Sequence, residues 1–307
     1  MKYRRLGKTD LRVSVVGVGT WQFGGEWGKD FKQGEVDAIL AKAAELGINL
    51  IDTAECYGVH LAEELIGRAI KGRREKWVLA TKFGHKFNGP FQRDNAFEPA
   101  QVQEQLEQSL RALQTDYIDL YQFHSGTDPV FDTPGLWEML RGLVDSGIVR
   151  HLGISVSKKN ASLRQVDRAS EVGAEAIQVV YNRIERQAES EIFPSCLRQD
   201  LGVLARVPLA SGFLSGKYTQ ETRFPKTDVR AVWQSDEERR VLAEQAEQVR
   251  REVPPGVPMA QWALAWCLQH PAVSSVIPGC KNIAQVESNA SAADLPNVAG
   301  SHPLAVG

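Results

Sequence analysis

The chain has 307 residues and a formal net charge of -2 at pH 7, with 43% hydrophobic and 24% charged residues. This composition is typical of a globular protein with a sizeable core. The balanced charge argues against a nucleic-acid surface, and no uncharged run reaches the roughly 18 residues of a membrane span. We expect one domain over residues 1–307, cytoplasmic and in contact with neither nucleic acid nor membrane.

The four cysteines, Cys56, Cys196, Cys267 and Cys280, are far apart in the sequence and none belongs to a C-x-x-C pair. Disulfide frameworks and structural zinc sites both depend on closely patterned cysteines. The spacing therefore predicts neither kind of site, and we expect a protein without a metal.

Two short apolar runs flank the turn residues 7–10, which predicts a β-hairpin ahead of the main fold. A buried strand over residues 15–21 follows, and its Gly17-x-Gly19 pair is similar to part of a dinucleotide-binding fingerprint. The third glycine and the helix that should follow directly are both missing, which disfavours a Rossmann fold.

From residue 34 onward, predicted helices and strands alternate, the helices from apolar positions at helical spacing and the strands from short β-branched runs. The predicted helices span residues 34–45, 61–70, 99–113, 136–146, 162–172, 192–199, 237–251 and 259–268. The predicted strands span residues 15–21, 48–51, 77–81, 117–123, 149–154, 176–180, 203–205 and 275–277. Eight strands at intervals of roughly 25 to 40 residues predict an α/β fold, a closed (β/α)8 TIM barrel with the N-terminal β-hairpin. An open doubly wound sheet is the alternative.

Polar side chains stand where three consecutive predicted strands end. Asp52 follows the second strand with Tyr57 shortly after it, Lys82 follows the third strand, and His124 follows the fourth. Consecutive strands are neighbours in a barrel, so these side chains should meet at one rim. A phenol has an ordinary pKa of about 10, and a lysine ammonium beside it would lower that value. Tyr57 could then protonate an oxygen that His124 orients, with Asp52 holding Lys82 charged.

Each of these residues also has a structural interpretation. Buried Asp–Lys pairs are often ion pairs of the core, and a loop tyrosine usually serves packing. Their combination at adjacent strand ends is what favours acid catalysis.

Beyond this cluster, the chain resembles the aldo-keto reductase superfamily over residues 5–289, and is closer to its bacterial general-stress and sugar-metabolism branch than to the mammalian aldose reductases. The matching segments include Gly19-Thr20-Trp21, Ile51-Asp52-Thr53-Ala54 with Tyr57-Gly58, Ala80-Thr81-Lys82, Asp116 through His124, Gly153-Ile154-Ser155, Pro208 through Tyr218, and Ile277-Pro278-Gly279. The resemblance implies NADP-dependent reduction of small aldehydes or ketones without a metal. Tyr57 would be the acid, Lys82 and Asp52 its modulators, and His124 the orienting group.

The resemblance also implies where cofactor and substrate bind. The implied NADP-binding residues are Gly19, Thr20, Trp21, Asp52, Ser155, Gln178, Arg206, Pro208, Leu209, Ser211, Gly212, Lys217, Gly279, Lys281, Gln285 and Asn289. Lys281 precedes a helix predicted from Asn282, a pairing that suits a 2′-phosphate and favours NADP over NAD. Arg206 replaces the aromatic residue common in relatives, and its guanidinium could stack on the nicotinamide or bind an anion. The expected substrate pocket contains Trp21, Phe87, Phe91, Phe224 and Trp233.

Three functions remain open at the level of sequence. The first is a reductase of small carbonyl compounds, monomeric or weakly homo-oligomeric. The second is an NADP-binding redox sensor or accessory subunit with little turnover, since this fold also serves as a partner of channels. The third is a Schiff-base aldolase that uses Lys82, but this needs a depressed lysine pKa, which Asp52 opposes.

Overall fold

The structure, a computed structural model, describes residues 1–157, 162–295 and 298. Its strands are β1 (Tyr3–Arg5), β2 (Arg12–Ser14), β3 (Val18–Gly19), β4 (Leu50–Asp52), β5 (Val78–Phe83), β6 (His85–Phe87), β7 (Arg93–Asn95), β8 (Ile118–His124), β9 (Val149–Ser155), β10 (Ala174–Val180), β11 (Gly202–Arg206) and β12 (Val273–Val276). Its α-helices are α1 (Gln33–Glu45), α2 (Leu61–Ala69), α3 (Pro99–Leu113), α4 (Asp128–Phe131), α5 (Leu136–Asp145), α6 (Leu163–Asp167), α7 (Ala169–Val172), α8 (Ala188–Glu191), α9 (Phe193–Gln199), α10 (Val229–Trp233), α11 (Asp236–Arg250), α12 (Met259–Cys267) and α13 (Ile283–Ser291).

Eight of the described strands form one parallel sheet in the order β3, β4, β5, β8, β9, β10, β11, β12. The last strand returns to the first, because Val276 N donates to Val15 O at 3.0 Å and Gly17 N donates to Val276 O at 2.8 Å. Gly19 N also donates to Pro278 O at 3.0 Å. These bonds close the sheet, and the predicted (β/α)8 barrel with its antiparallel β1–β2 hairpin is confirmed.

Side chains on the inner face of the barrel change from apolar to polar along β4, β5, β8, β10 and β11. The apolar layer contains Leu50, Val78, Ala80, Leu120, Ala176 and Leu204, which pack with Leu6, Leu11 and Val13 of the hairpin. Successive residues of a strand point to opposite faces, so the next inward position lies two residues later. Those positions are Asp52, Lys82, Gln122, Gln178 and Arg206. The hairpin therefore closes one end of the barrel with apolar side chains, while polar groups collect at the carboxyl ends of the strands.

A larger apolar cluster lies between the sheet and the surrounding helices. Helix α1 contributes Val36, Ile39, Leu40 and Ala43, which recur at helical spacing on one buried face. Helix α12 is buried along nearly its whole length, and its tryptophans belong to the core. None of the helices in the described ranges has both the length and the apolar character to cross a membrane.

The strand predicted over residues 15–21 is shorter in the structure, where β3 spans Val18–Gly19 and a 3-10 helix begins at Trp21. Three other predicted segments also differ in detail. The helix predicted over residues 162–172 is broken into α6 and α7, because Arg168 (φ -91°, ψ 2°) leaves the helical region between them. Residues 84–97, which lie between a predicted strand and a predicted helix and carry no predicted element of their own, contain the antiparallel β6–β7 hairpin. The long loop over residues 218–233 ends in α10.

We expect Gly7→Ala to destabilise the protein far more than Gly72→Ala. Both glycines have a positive φ, 55° at Gly7 and 75° at Gly72. A Cβ on Gly7 would lie 2.0 Å from Gly202 N, whereas nothing lies within 4 Å of one on Gly72. The backbone conformation alone costs roughly 1–2 kcal/mol for alanine, so Gly7→Ala should lose about 3 kcal/mol or more of unfolding free energy. Urea unfolding followed by circular dichroism measures both losses, and equal losses would contradict this packing.

Candidate active site

Lys82 is the buried centre of the polar layer, with no exposed surface. Its ammonium donates to Asp52 Oδ1 at 2.8 Å, to the Thr53 carbonyl at 2.6 Å and to the Tyr57 hydroxyl at 3.3 Å. A lysine ammonium has three hydrogens, and these three partners use all of them. The barrel thus brings together three of the residues that the sequence predicts at one rim.

Asp52 is held in turn by two glutamines. Its Oδ2 accepts from Gln178 Nε2 at 2.7 Å and from Gln122 Nε2 at 3.2 Å, while Gln178 Nε2 also donates to Gln122 Oε1 at 3.1 Å. Both amide hydrogens of Gln178 are therefore used, which leaves its Oε1 to accept from a ligand. Gln122 was not among the predicted site residues, although its position two residues before His124 places it on the same inner face.

His124 ends β8 beside Tyr57, with the two ring centroids 6.3 Å apart and the planes at 82°. Its Nδ1 lies 3.8 Å from Cys56 Sγ, which leaves Nε2 as the nitrogen available to a ligand. Burial lowers the pKa of His124 well below its usual range, and the neighbouring His85 and Lys82 act in the same direction. His124 is therefore neutral at pH 7.

The pKa of Tyr57 corrects one expectation from the sequence. Burial raises the pKa of the Tyr57 phenol to about 12, while the Lys82 ammonium acts in the opposite direction. The net direction is upward because the loss of water around the half-buried ring outweighs the nearby cation. Burial by itself lowers the pKa of Lys82, but the Asp52 carboxylate and Tyr57 reverse this and raise it. A lysine kept protonated is a poor amine nucleophile, which disfavours the aldolase interpretation.

Tryptophans form the wall above the Tyr57 ring. Trp21 is stacked on Tyr57 with a centroid distance of 5.9 Å and an angle of 19°, and Trp233 lies 5.3 Å from Trp21. Trp27 meets Trp21 edge-on at 5.3 Å. Trp21 and Trp233 line the cavity as predicted for a substrate pocket, and Trp27 is an addition.

The three phenylalanines of the expected pocket do not line this cavity. Phe87 is covered by the Arg93 guanidinium, 4.6 Å from its centroid, and the Phe91 amide donates to Glu26 Oε1 at 2.8 Å. Phe224 packs against Tyr218 and beneath a guanidinium instead. Residues of the β6–β7 hairpin replace them in the wall, namely His85 and Arg93. The sequence analysis predicts no strand for the hairpin residues and so assigns them to no face of a sheet. For this reason it missed these two residues.

One cavity of about 1970 Å³ runs from Tyr57 and His124 across the rim to α13. Small-molecule sites usually occupy about 300–1,000 Å³, so this volume admits a large cofactor together with a substrate. The predicted cofactor residues that line it are Gly19, Thr20, Trp21, Asp52, Gln178, Arg206, Pro208, Leu209, Ser211, Gly212, Lys217, Gly279, Lys281, Gln285 and Asn289. Ser155 lies buried behind this wall rather than in it.

Several features of the cavity fit a nicotinamide dinucleotide. Arg206, which lines the cavity, has a buried Nε without a hydrogen-bond partner, as expected of a group that binds a polar ligand. Ala210 and Ser211 hold left-handed backbone conformations (φ 46° and 55°), a strain that clusters at ligand-binding loops. A Cβ on Gly279 would lie 1.8 Å from Gln22 Nε2, so any other residue there would require the Gln22 side chain to move.

A cationic group surrounds the far end of the cavity. Lys281 Nζ donates to the Trp27 carbonyl at 2.6 Å, and Lys29 Nζ donates to the Lys281 carbonyl at 3.2 Å. Burial lowers the pKa of Lys281, and the nearby Arg230 lowers it further. Neighbouring cations repel each other, which lowers the pKa of Lys281, and a bound anion would relieve this repulsion. This end of the cavity therefore suits a phosphate.

The segment of residues 217–235, which we call the lid loop, borders the cavity. Backbone hydrogen bonds hold it to residues 26–28. Gly28 N donates to Thr227 O at 3.1 Å, and Val229 N donates to Glu26 O at 2.8 Å. Within the loop, Arg230 and Asp228 form a buried ion pair with Nη2 and Oδ2 2.6 Å apart. The Arg230 guanidinium also lies over the rings of Phe224, Tyr218 and Trp27, at 3.8, 5.0 and 5.1 Å from their centroids.

A model of the aldo/keto reductase family matches residues 15–300. The chain belongs to the aldo/keto reductase family. Members are oxidoreductases that bind a nicotinamide cofactor. Aldo-keto reductase YhdN of Bacillus subtilis (strain 168) is 38% identical over 236 residues, covering 75% of this chain and 69% of the relative.

Two further similarities cover nearly the whole chain. Aldo-keto reductase AKR11C1 from Bacillus halodurans, solved in its holo form, superposes with a TM-score of 0.81 at 31% identity, covering 98% of this chain and 93% of the other. A probable voltage-gated potassium channel subunit beta from Arabidopsis thaliana is 31% identical over 312 residues, covering 96% of this chain and 92% of the relative. This reductase family therefore includes relatives with different named roles.

We expect Asp228→Asn to loosen the lid loop of this aldo/keto reductase. The substitution leaves the buried Arg230 cation without its carboxylate, a loss of roughly 3 kcal/mol for such pairs. Limited digestion with trypsin, read by mass spectrometry, should show cleavage after the exposed Lys226 at least about 10-fold faster. Glu221→Gln removes an exposed carboxylate from the same loop and should leave the rate unchanged. Equal rates for Asp228→Asn and the native protein would show that the ion pair does not hold the loop.

Proposed function

We propose that this protein is an NADP-dependent reductase of small aldehydes and ketones. The observation that carries the proposal is the Lys82 ammonium, which contacts both Asp52 Oδ1 and the Tyr57 hydroxyl at the edge of a cavity large enough for a dinucleotide. A buried cation beside a phenol stabilises the phenolate that forms when the phenol gives up its proton. The arrangement supports acid catalysis by Tyr57.

The proton transfer follows from the pKa values of the site. NADPH, when bound, supplies the hydride that adds to the carbonyl carbon. Tyr57 keeps its proton at neutral pH and donates it to the carbonyl oxygen as negative charge develops there, because an alkoxide is much more basic than a phenolate. Lys82 stabilises the resulting phenolate, and the neutral His124 donates from Nε2 to orient the carbonyl. Trp21, stacked on Tyr57, excludes water from one side.

The cavity residues also suggest how the cofactor is held. Gln178 Oε1 would bind the carboxamide, since both amide hydrogens of Gln178 are already used within the site and its oxygen is left to accept. Ser155, predicted for the same role, lies behind the cavity wall and is not part of this proposal. The strained loop from Pro208 to Lys217 would enclose the pyrophosphate, and Lys281 would pair with a 2′-phosphate. Arg206, with its free Nε, would contact the nicotinamide or an anionic group of the substrate.

A redox sensor with little turnover is the second candidate. It is favoured by the likeness to the plant channel subunit, which covers 96% of this chain. Both functions require the same cofactor site, so turnover distinguishes them.

We expect Tyr57→Phe to abolish carbonyl reduction without loss of cofactor binding. Removing a general acid lowers kcat by about 100- to 10,000-fold, whereas the phenol is not among the groups proposed to hold NADPH. NADPH oxidation with a panel of small aldehydes, ketones and dicarbonyls measures kcat, and quenching of tryptophan fluorescence measures the Kd. Tyr117→Phe alters a tyrosine that lies between Arg74 and Arg150, outside the cavity, and should change neither value. Tight NADPH binding with no turnover in the native protein would favour the sensor.

We expect Lys281→Met to weaken NADPH binding while leaving NADH binding nearly unchanged. A charge-assisted hydrogen bond to the 2′-phosphate contributes about 1.5–3 kcal/mol, so the Kd for NADPH should rise about 10-fold or more. Lys217→Met removes a cation proposed to serve the pyrophosphate, which both cofactors share, and should weaken both. Fluorescence titration with each cofactor gives the four values. Equal losses for NADPH and NADH in Lys281→Met would mean that Lys281 does not recognise the 2′-phosphate.

A further inference from the structure

Three groups that commonly bind metals meet beside Tyr57. Glu55, Cys56 and His124 each offer a ligand atom, and these atoms all lie within 4.8 Å of one another; the described residues contain one such group. The reduction mechanism uses His124 but assigns nothing to Glu55 or Cys56. Cysteine spacing predicts no zinc site, but β8 brings His124 from 68 residues away to within 3.8 Å of the Cys56 sulfur.

The carboxylate of Glu55 is fixed in place and only partly satisfied. The side chain is 3% exposed, and its Oε1 accepts from the His85 amide at 3.0 Å. Its Oε2 is buried without a hydrogen-bond partner. A buried carboxylate oxygen in that state is costly unless a ligand binds it. This unpartnered oxygen is independent of the thiol–imidazole contact and also indicates a ligand.

The distances suit a tetrahedral zinc ion. Zinc bonds of about 2.3 Å to sulfur and about 2.1 Å to nitrogen at a tetrahedral angle place the two ligand atoms about 3.6 Å apart. The observed separation of Cys56 Sγ and His124 Nδ1 is 3.8 Å, and a carboxylate oxygen of Glu55 lies within 4.8 Å of both. A thiolate, an imidazole and a carboxylate together form a ligand set that zinc prefers.

The nearest cations are each paired with another carboxylate, but Arg93 also hydrogen-bonds to the Cys56 sulfur and would have to release it to a metal. Lys82 pairs with Asp52 at 2.8 Å, and Arg93 pairs with Glu26 at 2.6 Å. Ionised Glu55 and Cys56 would neutralise the two charges of the metal. Cys56 and His124 line the cavity, so an ion from solvent reaches both.

We propose that Glu55, Cys56 and His124 bind one Zn²⁺ ion, and that this ion competes with the carbonyl substrate. Three protein ligands leave the fourth tetrahedral position to a water molecule on the cavity side. Because both nitrogens belong to one ring, an ion bound at Nδ1 would also fix the orientation of Nε2, the atom proposed to orient the carbonyl. The competition rests on the proposed reductase function, whereas the metal binding does not.

Calorimetric titration of ZnCl2 into the cofactor-free full-length protein tests the binding. We expect one Zn²⁺ per chain, with a Kd at least about 10-fold weaker in both Cys56→Ala and Glu55→Gln, since even indirect partners of a metal contribute about 10- to 100-fold. Cys196→Ala, which removes a buried thiol outside the cavity, should bind zinc like the native protein. Thermal melting by circular dichroism confirms that each variant is folded. Absence of saturable binding, or equal Kd values in all four proteins, would overturn the site.

Two further measurements test the metal binding and the competition with substrate separately. CoCl2 should give a sulfur-to-cobalt charge-transfer absorption in the native protein and in Cys196→Ala, but not in Cys56→Ala. In the NADPH oxidation assay, ZnCl2 should raise the KM for the carbonyl and leave kcat unchanged. A zinc effect on kcat alone would overturn the competition and leave the metal site standing. Zinc binding in a protein without any turnover would instead count against the proposed function.

Discussion

The rest of the active site depends on the three hydrogen bonds of the Lys82 ammonium. A lysine with no exposed surface is unfavourable unless each of its hydrogens has an acceptor, and Asp52, Thr53 and Tyr57 supply these acceptors. Two glutamines then hold the far side of Asp52. One satisfied cation therefore fixes the position of the phenol, the carboxylate and an amide from a distant strand, before any ligand binds. This preorganisation is what acid catalysis requires.

Much of the fold and the central cluster could be predicted from sequence for a simple physical reason. Parallel strands buried on both faces give short apolar runs, and the carboxyl ends of neighbouring strands in a barrel lie side by side. Strand ends alone therefore bring Asp52, Lys82 and His124 together. The same alternation of faces would have indicated Gln122, since it lies two residues before His124.

What the sequence could not predict depends on tertiary surroundings. The direction in which the Tyr57 pKa shifts depends on how much water the fold removes from around the phenol, and no sequence motif indicates that amount. Phe224 looked like a pocket residue because it is aromatic in a long loop, but it supports the buried Arg230 instead. The contact between Cys56 and His124 joins two strand ends that the cysteine spacing does not connect.

The hairpin at the amino-terminal end has a further effect on how ligands move. Leu6 is fully buried and packs with Leu11 and Val13 against the apolar inner layer, so the barrel axis is blocked from that side. Every molecule that reaches Tyr57 must then come and go through the opposite mouth, partly beneath the lid loop. Water displaced by a substrate leaves by the same route by which the product later departs. Substrate, product and water therefore all exchange through the same opening, and product must leave before the next substrate enters.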